Sequence, residues 1–306
     1  MAKGRQLKGR IRSVQNTRKI TKTMELVATS KLKRAQDRVV SARPYAAALR
    51  EVIGDLMTPE LAERFPLLRR PAPPSKGGPR RAAVVLLTSN RGLAGGFNAN
   101  LIKEARRRIE SLEAEGYEPE IHVVGKKGAG YFKYVGRALA TSRADIGDRP
   151  TAEHAAELVA PLIEAYERGE LASVDLVQAQ FLSAISTPPA TVRVLPVEPP
   201  ATVRVLPVEP PESKDAARTA RPYILEPGAD EILAKLLPLY VRNAMYRGLV
   251  ETVASEHGAR RTAMKNATDN AGEILEVLKR TYNRQRQAAI TQEISEIVGG
   301  AAALQG

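Results

Sequence analysis

Residues 7–56, LKGRIRSVQNTRKITKTMELVATSKLKRAQDRVVSARPYAAALREVIGDL, set the terms for the rest of the chain. A strict 3-4 spacing picks out Leu7, Ile11, Val14, Arg18, Thr21, Glu25, Ala28, Leu32, Ala35, Val39, Ala42, Ala46, Leu49, Ile53 and Leu56, a coiled-coil seam. At about 1.5 Å per residue this helix is roughly 75 Å long, more than the core of one small domain can wrap. It therefore needs a second long helix, or an enclosing surface, along its length. Arg18, Thr21 and Glu25 interrupt the seam near its start, where ordinary apolar packing cannot close it. Something besides a partner helix is expected around that end. Pro44 predicts a kink and not an end, because the seam resumes beyond it. Thr58-Pro59 closes the helix.

A chain of 306 residues, 43% of them hydrophobic, can form one large or two modest domains with a real core. With no Cys, disulfides, thiolate zinc sites and cysteine nucleophiles are excluded. His122, His154 and His257 lie far apart and read as surface or packing residues, not a metal cluster. No apolar run approaches the roughly 18 residues that span a bilayer, so any membrane association is expected to be peripheral. The net charge of +13 is uneven: the first 50 residues hold 14 Lys and Arg against Glu25 and Asp37 alone. An Arg-rich, acid-poor start suits a transit peptide or a nucleic-acid-binding arm. The heptads weaken both readings, since they run on to Leu56 without a cleavage-like break. A third reading is a basic helix working inside an acidic surround, held by diffuse attraction without one fixed register.

Beyond the first helix (1–58) and a Pro/Gly-rich linker (59–81), residues 82–187 alternate strands with helices. Buried strands are expected at 82–87, 121–124 and 174–181, and helices at about 99–115, after Gly125, and at 151–168 behind an Asp148 or Thr151 cap. This pattern implies a small, Rossmann-like parallel sheet. The Gly-rich turn Thr88 to Asn98 follows a strand and opens a helix, the right setting for an anion. It has neither P-loop nor dinucleotide spacing, so a turn that simply packs tightly is the better reading. Residues 189–199 and 200–210 are identical copies of PATVRVLPVEP, within a Pro-rich connection (188–221). Two copies are too few for a solenoid. Their identity marks a recent duplication or an error of copying, and one copy is expected to be structurally superfluous. Residues 222–306 form the last segment, helical from Gly228 to about Val298, with apolar or small residues at Leu236, Leu239, Val250, Val253, Met264, Ala267, Ala271, Ile274 and Leu278. It can pair antiparallel with the first helix, and Gly248, Gly258 and Gly272 weaken it locally.

Four stretches resemble the gamma subunit of F-type ATP synthases. They are Ile11 to Lys31 (IRSVQNTRKITKTMELVATSK), Ser89 to Asn98, Ala254 to Arg260 (ASEHGAR), and Ile290 to Ala303 (ITQEISEIVGGAAA). The resemblance covers essentially the whole chain apart from the tandem copy. It implies a long antiparallel two-helix coiled coil from the terminal helices, plus a small Rossmann-like α/β domain. It also implies a central rotor stalk that carries rotation of a c-ring to catalytic beta subunits, without an active site, cofactor or metal of its own. The implied partners are three alpha and three beta subunits, an epsilon subunit and the c-ring, in a proton-driven complex. By resemblance, Lys22 and Met24 face an acidic loop of beta. Arg260, Gln287, Thr291 and Glu293 match positions that bear on beta or affect coupling, and Tyr223 and Glu226 match the foot on the c-ring and epsilon. As bare sequence, Met24 can also be read as a packing residue, and Arg260, Gln287, Thr291 and Glu293 as solvated helix positions. Asn90 and Ala94 depart from the Asp and frequent Cys of the family's turn.

Two other classes compete. A nucleic-acid-binding coiled coil is disfavoured because the basic helix has no aromatic residue before Tyr45 and its polar breaks lie on the seam. An enzyme is disfavoured because no acid–base pair, triad or metal cluster emerges. With no cleavable leader evident, the expected location is the cytoplasmic side of a bacterial plasma membrane, peripheral to it.

Overall fold

In the computed structural model, residues 2–56, 59–73, 76–78, 80–197 and 228–303 are described. The chain divides into two compact units, one of Leu32–Ala259 and one built from its first 31 residues together with those from Arg260 onward. Two helices take part in both: α1 (Ala2–Leu56) and α6 (Ala229–Ala303). Pro44 lies inside α1 and Pro238 inside α6, and neither ends its helix.

The larger unit is layered on a five-stranded sheet. Helix α2 (Pro59–Arg64) precedes β1 (Arg81–Leu87); then come α3 (Phe97–Ala114), β2 (Glu118–Val124), α4 (Lys126–Tyr134), β3 (Thr141–Arg143), α5 (Ala152–Glu167), β4 (Leu171–Ala179) and β5 (Pro189–Leu195). The strand order is β3-β2-β1-β4-β5. β1 pairs in parallel with β2 and β4, and β2 with β3. The sheet differs from an all-parallel one at one edge, where β5 runs antiparallel to β4. That strand lies in the first copy of the duplicated segment, within the stretch read from sequence as a connection. Proline at an outer edge costs no ladder bond that the sheet needs, which is why a Pro-flanked segment can serve there.

Both faces of the sheet are covered, so β1 is apolar and buried from Ala82 to Leu87. Ala82, Val84 and Leu86 pack with Phe97, Leu101, Ala105 and Ile109 of α3 and Phe132 of α4. Ala83, Val85 and Leu87 meet Ala155, Val159 and Leu162 of α5, with Leu49 and Ile53 of α1 and Leu237, Val241 and Met245 of α6. A smaller cluster joins Leu32, Ala35 and Val39 to Phe181, Val250 and Ala254. The α1 seam read from the spacing is therefore the buried face from Ala28 to Leu56, with Ala42 half-buried.

On α6 the inward positions are Leu233, Leu237, Val241, Met245 and Leu249, whereas Leu239 and Ile274, among the apolar residues picked out from sequence, are exposed. Gly248 sits where a Cβ would come within 2.6 Å of Leu176 Cδ2 on β4. Its small size serves close approach of helix and sheet, and α6 is continuous through it.

Candidate functional site

Of the eight positions singled out by resemblance, six lie in the two-helix unit: Lys22, Met24, Arg260, Gln287, Thr291 and Glu293. Tyr223 and Glu226 lie outside the described residues. Within this unit Ile11 and Val14 are half-buried and Thr21 and Ala28 buried on α1, against buried Met264, Thr268, Ala271 and Leu275 on α6. Of the polar positions in the seam, α6 covers Thr21, while Glu25 is half-buried and Arg18 exposed. The Thr21 and Thr268 hydroxyls are 2.8 Å apart, and each also lies within reach of a carbonyl one turn back, Arg18 O at 3.1 Å and Met264 O at 2.8 Å. One hydroxyl donates to its partner and the other to its own helix, so both oxygens are satisfied in a dry seam. Beside them, the Arg18 guanidinium lies over Gly272, where a Cβ would be 3.7 Å from Nε. That is ordinary van der Waals contact, and Arg18 itself is exposed.

These two contacts fix the antiparallel register, with 21 level with 268 and 18 with 272. Lys22 and Met24 then lie near the level of residues 265–267. Arg260 is about 10 Å from that level along the axis in one direction, and Gln287 about 30 Å in the other. The six positions are not one cluster. Lys22, Met24 and Arg260 share a neighbourhood along the helix pair, while Gln287, Thr291 and Glu293 fall where α6 reaches and passes the start of α1. Lys22 is exposed and forms an ion pair with Glu25 at 3.2 Å. Met24 and Arg260 are half-buried; Gln287, Thr291 and Glu293 are exposed, and the Thr291 hydroxyl donates to Gln287 O at 3.0 Å.

What sequence reasoning passed over is the apolar content of this unit's outer surface. Ile20, Leu26 and Val27 of α1 and Ile274, Val277, Ile290, Ile294, Ile297 and Val298 of α6 are all large and exposed. They are interleaved with cations: from 1–31 and 260–306 there are 16 Lys and Arg against six Asp and Glu, so most of the net +13 belongs here. The signal was available as apolar residues off the 3-4 seam.

The Gly-rich turn after β1 is a packing element. The Thr88 hydroxyl bridges Val124 O at 3.0 Å and the Gly128 N–H at 3.0 Å, Ser89 N–H donates to Asn98 Oδ1, and the Lys126 N–H donates to Asn90 Oδ1. The first N–H groups of α4 are thereby used within the protein. Asn90 Nδ2 also donates to Ala144 O and Ile146 O, at 3.0 and 3.1 Å. A carboxylate could not make those two bonds, which accounts for the departure from Asp. Gly125, at φ 101°, has no room for a Cβ beside Thr88 O. Of the histidines, His154 closes a capping box with Thr151, and His257 is buried 3.8 Å from Asp148. His122 is buried, with Nδ1 2.9 Å from Thr141 Oγ1, and burial holds its pKa below the usual value against the opposing pull of Glu120. Among the described residues no group of three His, Asp or Glu could hold a metal.

The family described as ATP synthase matches residues 3–304. The ATP synthase gamma chain of Gemmatimonas aurantiaca is 60% identical over 306 residues, covering all of both chains. That of Moorella thermoacetica is 44% identical over 304 residues, covering 99% of this chain and all of the relative. Among solved structures, a chain of the Euglena gracilis mitochondrial ATP synthase (OSCP/F1/c-ring) aligns with a TM-score of 0.67 at 20% identity, covering 99% of this chain and 95% of that one. A chain of the Tetrahymena thermophila mitochondrial ATP synthase central stalk and c-ring aligns at 0.58 and 22% identity, covering 81% and 99%. These last two bear on fold alone. A nucleic-acid-binding coiled coil finds no counterpart among these relatives. With near-complete coverage and identities well above the level at which a family is secure, the chain belongs to the ATP synthase gamma chain family.

Proposed function

We infer that this chain is the central rotor stalk of a proton-driven F-type ATP synthase. It transmits rotation of a c-ring to the catalytic beta subunits of a head containing three alpha and three beta subunits. The observation that carries the reading, beyond family membership, is the outer surface of the two-helix unit. Large exposed apolar residues lie among an excess of cations there, the composition of a surface that meets a partner and not only water. An apolar sleeve with acidic loops is the complementary enclosure. Contacts that must slide are best diffuse, because a deeply buried, single-geometry ion pair would hold the shaft at one angle. Lys22, Met24 and Arg260 are assigned to the acidic loop of beta and its surroundings, and Gln287, Thr291 and Glu293 to the upper part of the head. Tyr223 and Glu226 are assigned to the c-ring and epsilon subunit. The complex would sit on the cytoplasmic side of a bacterial plasma membrane, with this chain peripheral to it.

Reconstitution tests the reading. The chain is mixed with purified alpha and beta subunits, and assembly, ATPase activity and rotation of a bead fixed to the α/β unit are followed. A complex with three alpha, three beta and one copy of this chain, turning during hydrolysis, is expected. Failure to assemble, together with salt-sensitive binding to DNA, would overturn it.

A further inference from the structure

Past the carboxyl ends of β1, β2 and β3 the larger unit holds a cavity of about 600 Å³, walled by the turns that follow those strands and by one face of α6. The chain leaves β1 for β2 on one side and later returns to β4 on the other, so the strand order reverses at β1. In open parallel sheets the crevice above such a reversal is where small ligands bind, because the turns diverge there and leave room. The volume falls in the range of pockets that hold small molecules. None of the contacts assigned to the rotor uses it.

The charge of the cavity is one-sided once paired groups are set aside. Arg91 follows β1, Lys126 opens α4 and Arg149 precedes α5; all three are exposed and line the cavity. Their side chains have no ion-pair or hydrogen-bond partner among the described residues. Three carboxylates line the cavity too, and each is engaged within the protein. Asp145 accepts from Arg143 at 2.8 and 2.6 Å, Asp148 stands 3.8 Å from the buried His257, and Glu256 is buried with a partner of its own. Three unspent cations around one cavity repel one another, and an anion among them removes that repulsion. Part of the wall is apolar, with the buried side chains of Leu87, Val124, Ile146 and Leu249 lining it.

We propose that this cavity binds a small organic phosphate, no larger than a mononucleotide, with its phosphate held by Arg91, Lys126 and Arg149 and its body against Leu87, Ile146 and Leu249. Side chains from three separate turns hold the anion, so neither P-loop nor dinucleotide spacing is required. The α4 N–H groups already bonded to Thr88 and Asn90 are not called upon. The planar fork of arginine takes phosphate oxygens two at a time, and lysine adds a point charge.

Equilibrium dialysis of the full-length chain at constant ionic strength tests this, with AMP, ribose 5-phosphate and inorganic phosphate as probes. AMP should bind saturably and more tightly than inorganic phosphate, which has no body to place against the apolar wall; ribose 5-phosphate should fall between them. Arg149→Ala and Lys126→Ala should each weaken AMP binding at least about tenfold. Both side chains are exposed, so the fold should tolerate their loss. Lys133→Ala removes an exposed cation of α4 that does not line the cavity, and should leave binding unchanged. Absence of saturable AMP binding would overturn the proposal. Equal losses in Lys133→Ala and Arg149→Ala would overturn it as well, since they would reduce the binding to diffuse attraction by a chain of net charge +13. If AMP does not bind and Arg149→Ala instead slows association with alpha and beta subunits, the cavity takes an acidic segment of a partner, and the proposal falls.

Discussion

The hydroxyl pair Thr21–Thr268 shows how a polar position survives in a seam. Each oxygen has a carbonyl of its own helix as a second partner, so losing one hydroxyl leaves the other satisfied. Thr268→Val should therefore cost only about 1 kcal/mol, and Thr21→Val combined with Thr268→Val less than the two single changes together. A thermal or urea unfolding series across the four chains measures this, and strict additivity would mean the hydroxyls do not interact. His122 gives a pH signature. Burial disfavours its charged form, so the folded chain binds fewer protons than the unfolded one as pH falls below about 6.5. Stability should be level above that value and decline below it, before the carboxylates begin to titrate. His122→Gln should flatten the decline between pH 6.5 and 5 in urea midpoints read from the α/β unit. Met24 is proposed to contact beta: it is half-buried beside the Lys22–Glu25 pair, and Met24→Lys would replace its apolar side chain with a second cation. Under the rotor reading that change uncouples proton flow from synthesis while part of the hydrolysis persists. Proton pumping and synthesis assays on reconstituted vesicles check it, and unchanged coupling would remove Met24 from the contact.

Among the elements, legibility in the sequence followed how one-sided each one is. α1 carries apolar residues on one stripe and cations elsewhere, so the 3-4 spacing named its buried face from Ala28 to Leu56. α6 has Ile232, Leu233, Leu236, Leu237 and Leu239 within two turns, and several faces fit the same spacing there. The apolar residues picked out from sequence include Leu239, which is exposed, where the fold buries Leu233 and Leu237. β1 was legible because a strand covered on both faces is a continuous apolar run. β3, three residues long and largely exposed, and β5, flanked by proline and only half-buried or exposed until Val194, gave no such signal. What β5 does carry is Arg193, which with Arg108 brackets the buried Asp175 carboxylate at 2.8 and 2.9 Å. Removing the carboxylate leaves two guanidinium groups facing each other over a partly dry site. Asp175→Ala should cost about 3 kcal/mol in urea unfolding, more than Arg193→Ala, because the latter leaves Arg108 in place. Of the proposed contact residues, none was found by pattern. Exposed helix positions such as Gln287 and Thr291 carry no periodic mark, and only resemblance singled them out.

Across the whole molecule, charge is divided as unevenly as apolar surface. The two-helix unit holds 16 Lys and Arg against six Asp and Glu, which leaves the α/β unit close to balance at 31 against 28. A field concentrated in this way contributes little to folding, since ion pairs such as Lys22–Glu25 are exposed and weak. Under the rotor reading its effect is on encounter: it would draw an acidic partner toward one unit and leave final docking to apolar residues such as Ile294 and Ile297. The two contributions separate in salt. Screening shortens the reach of the field from about 10 Å at 0.1 M to about 3 Å at 1 M, whereas burial of apolar surface is not screened. Association of the chain with an alpha–beta head should therefore slow by at least about tenfold between low and molar salt, while dissociation of the assembled complex changes far less. Stopped-flow mixing with fluorescently labelled alpha and beta subunits gives both rates. An association rate indifferent to salt would mean that the cations of α1 do not face acidic groups in the complex. A dissociation rate that climbs as steeply as association falls would mean that charge, not the apolar surface, holds the assembly together.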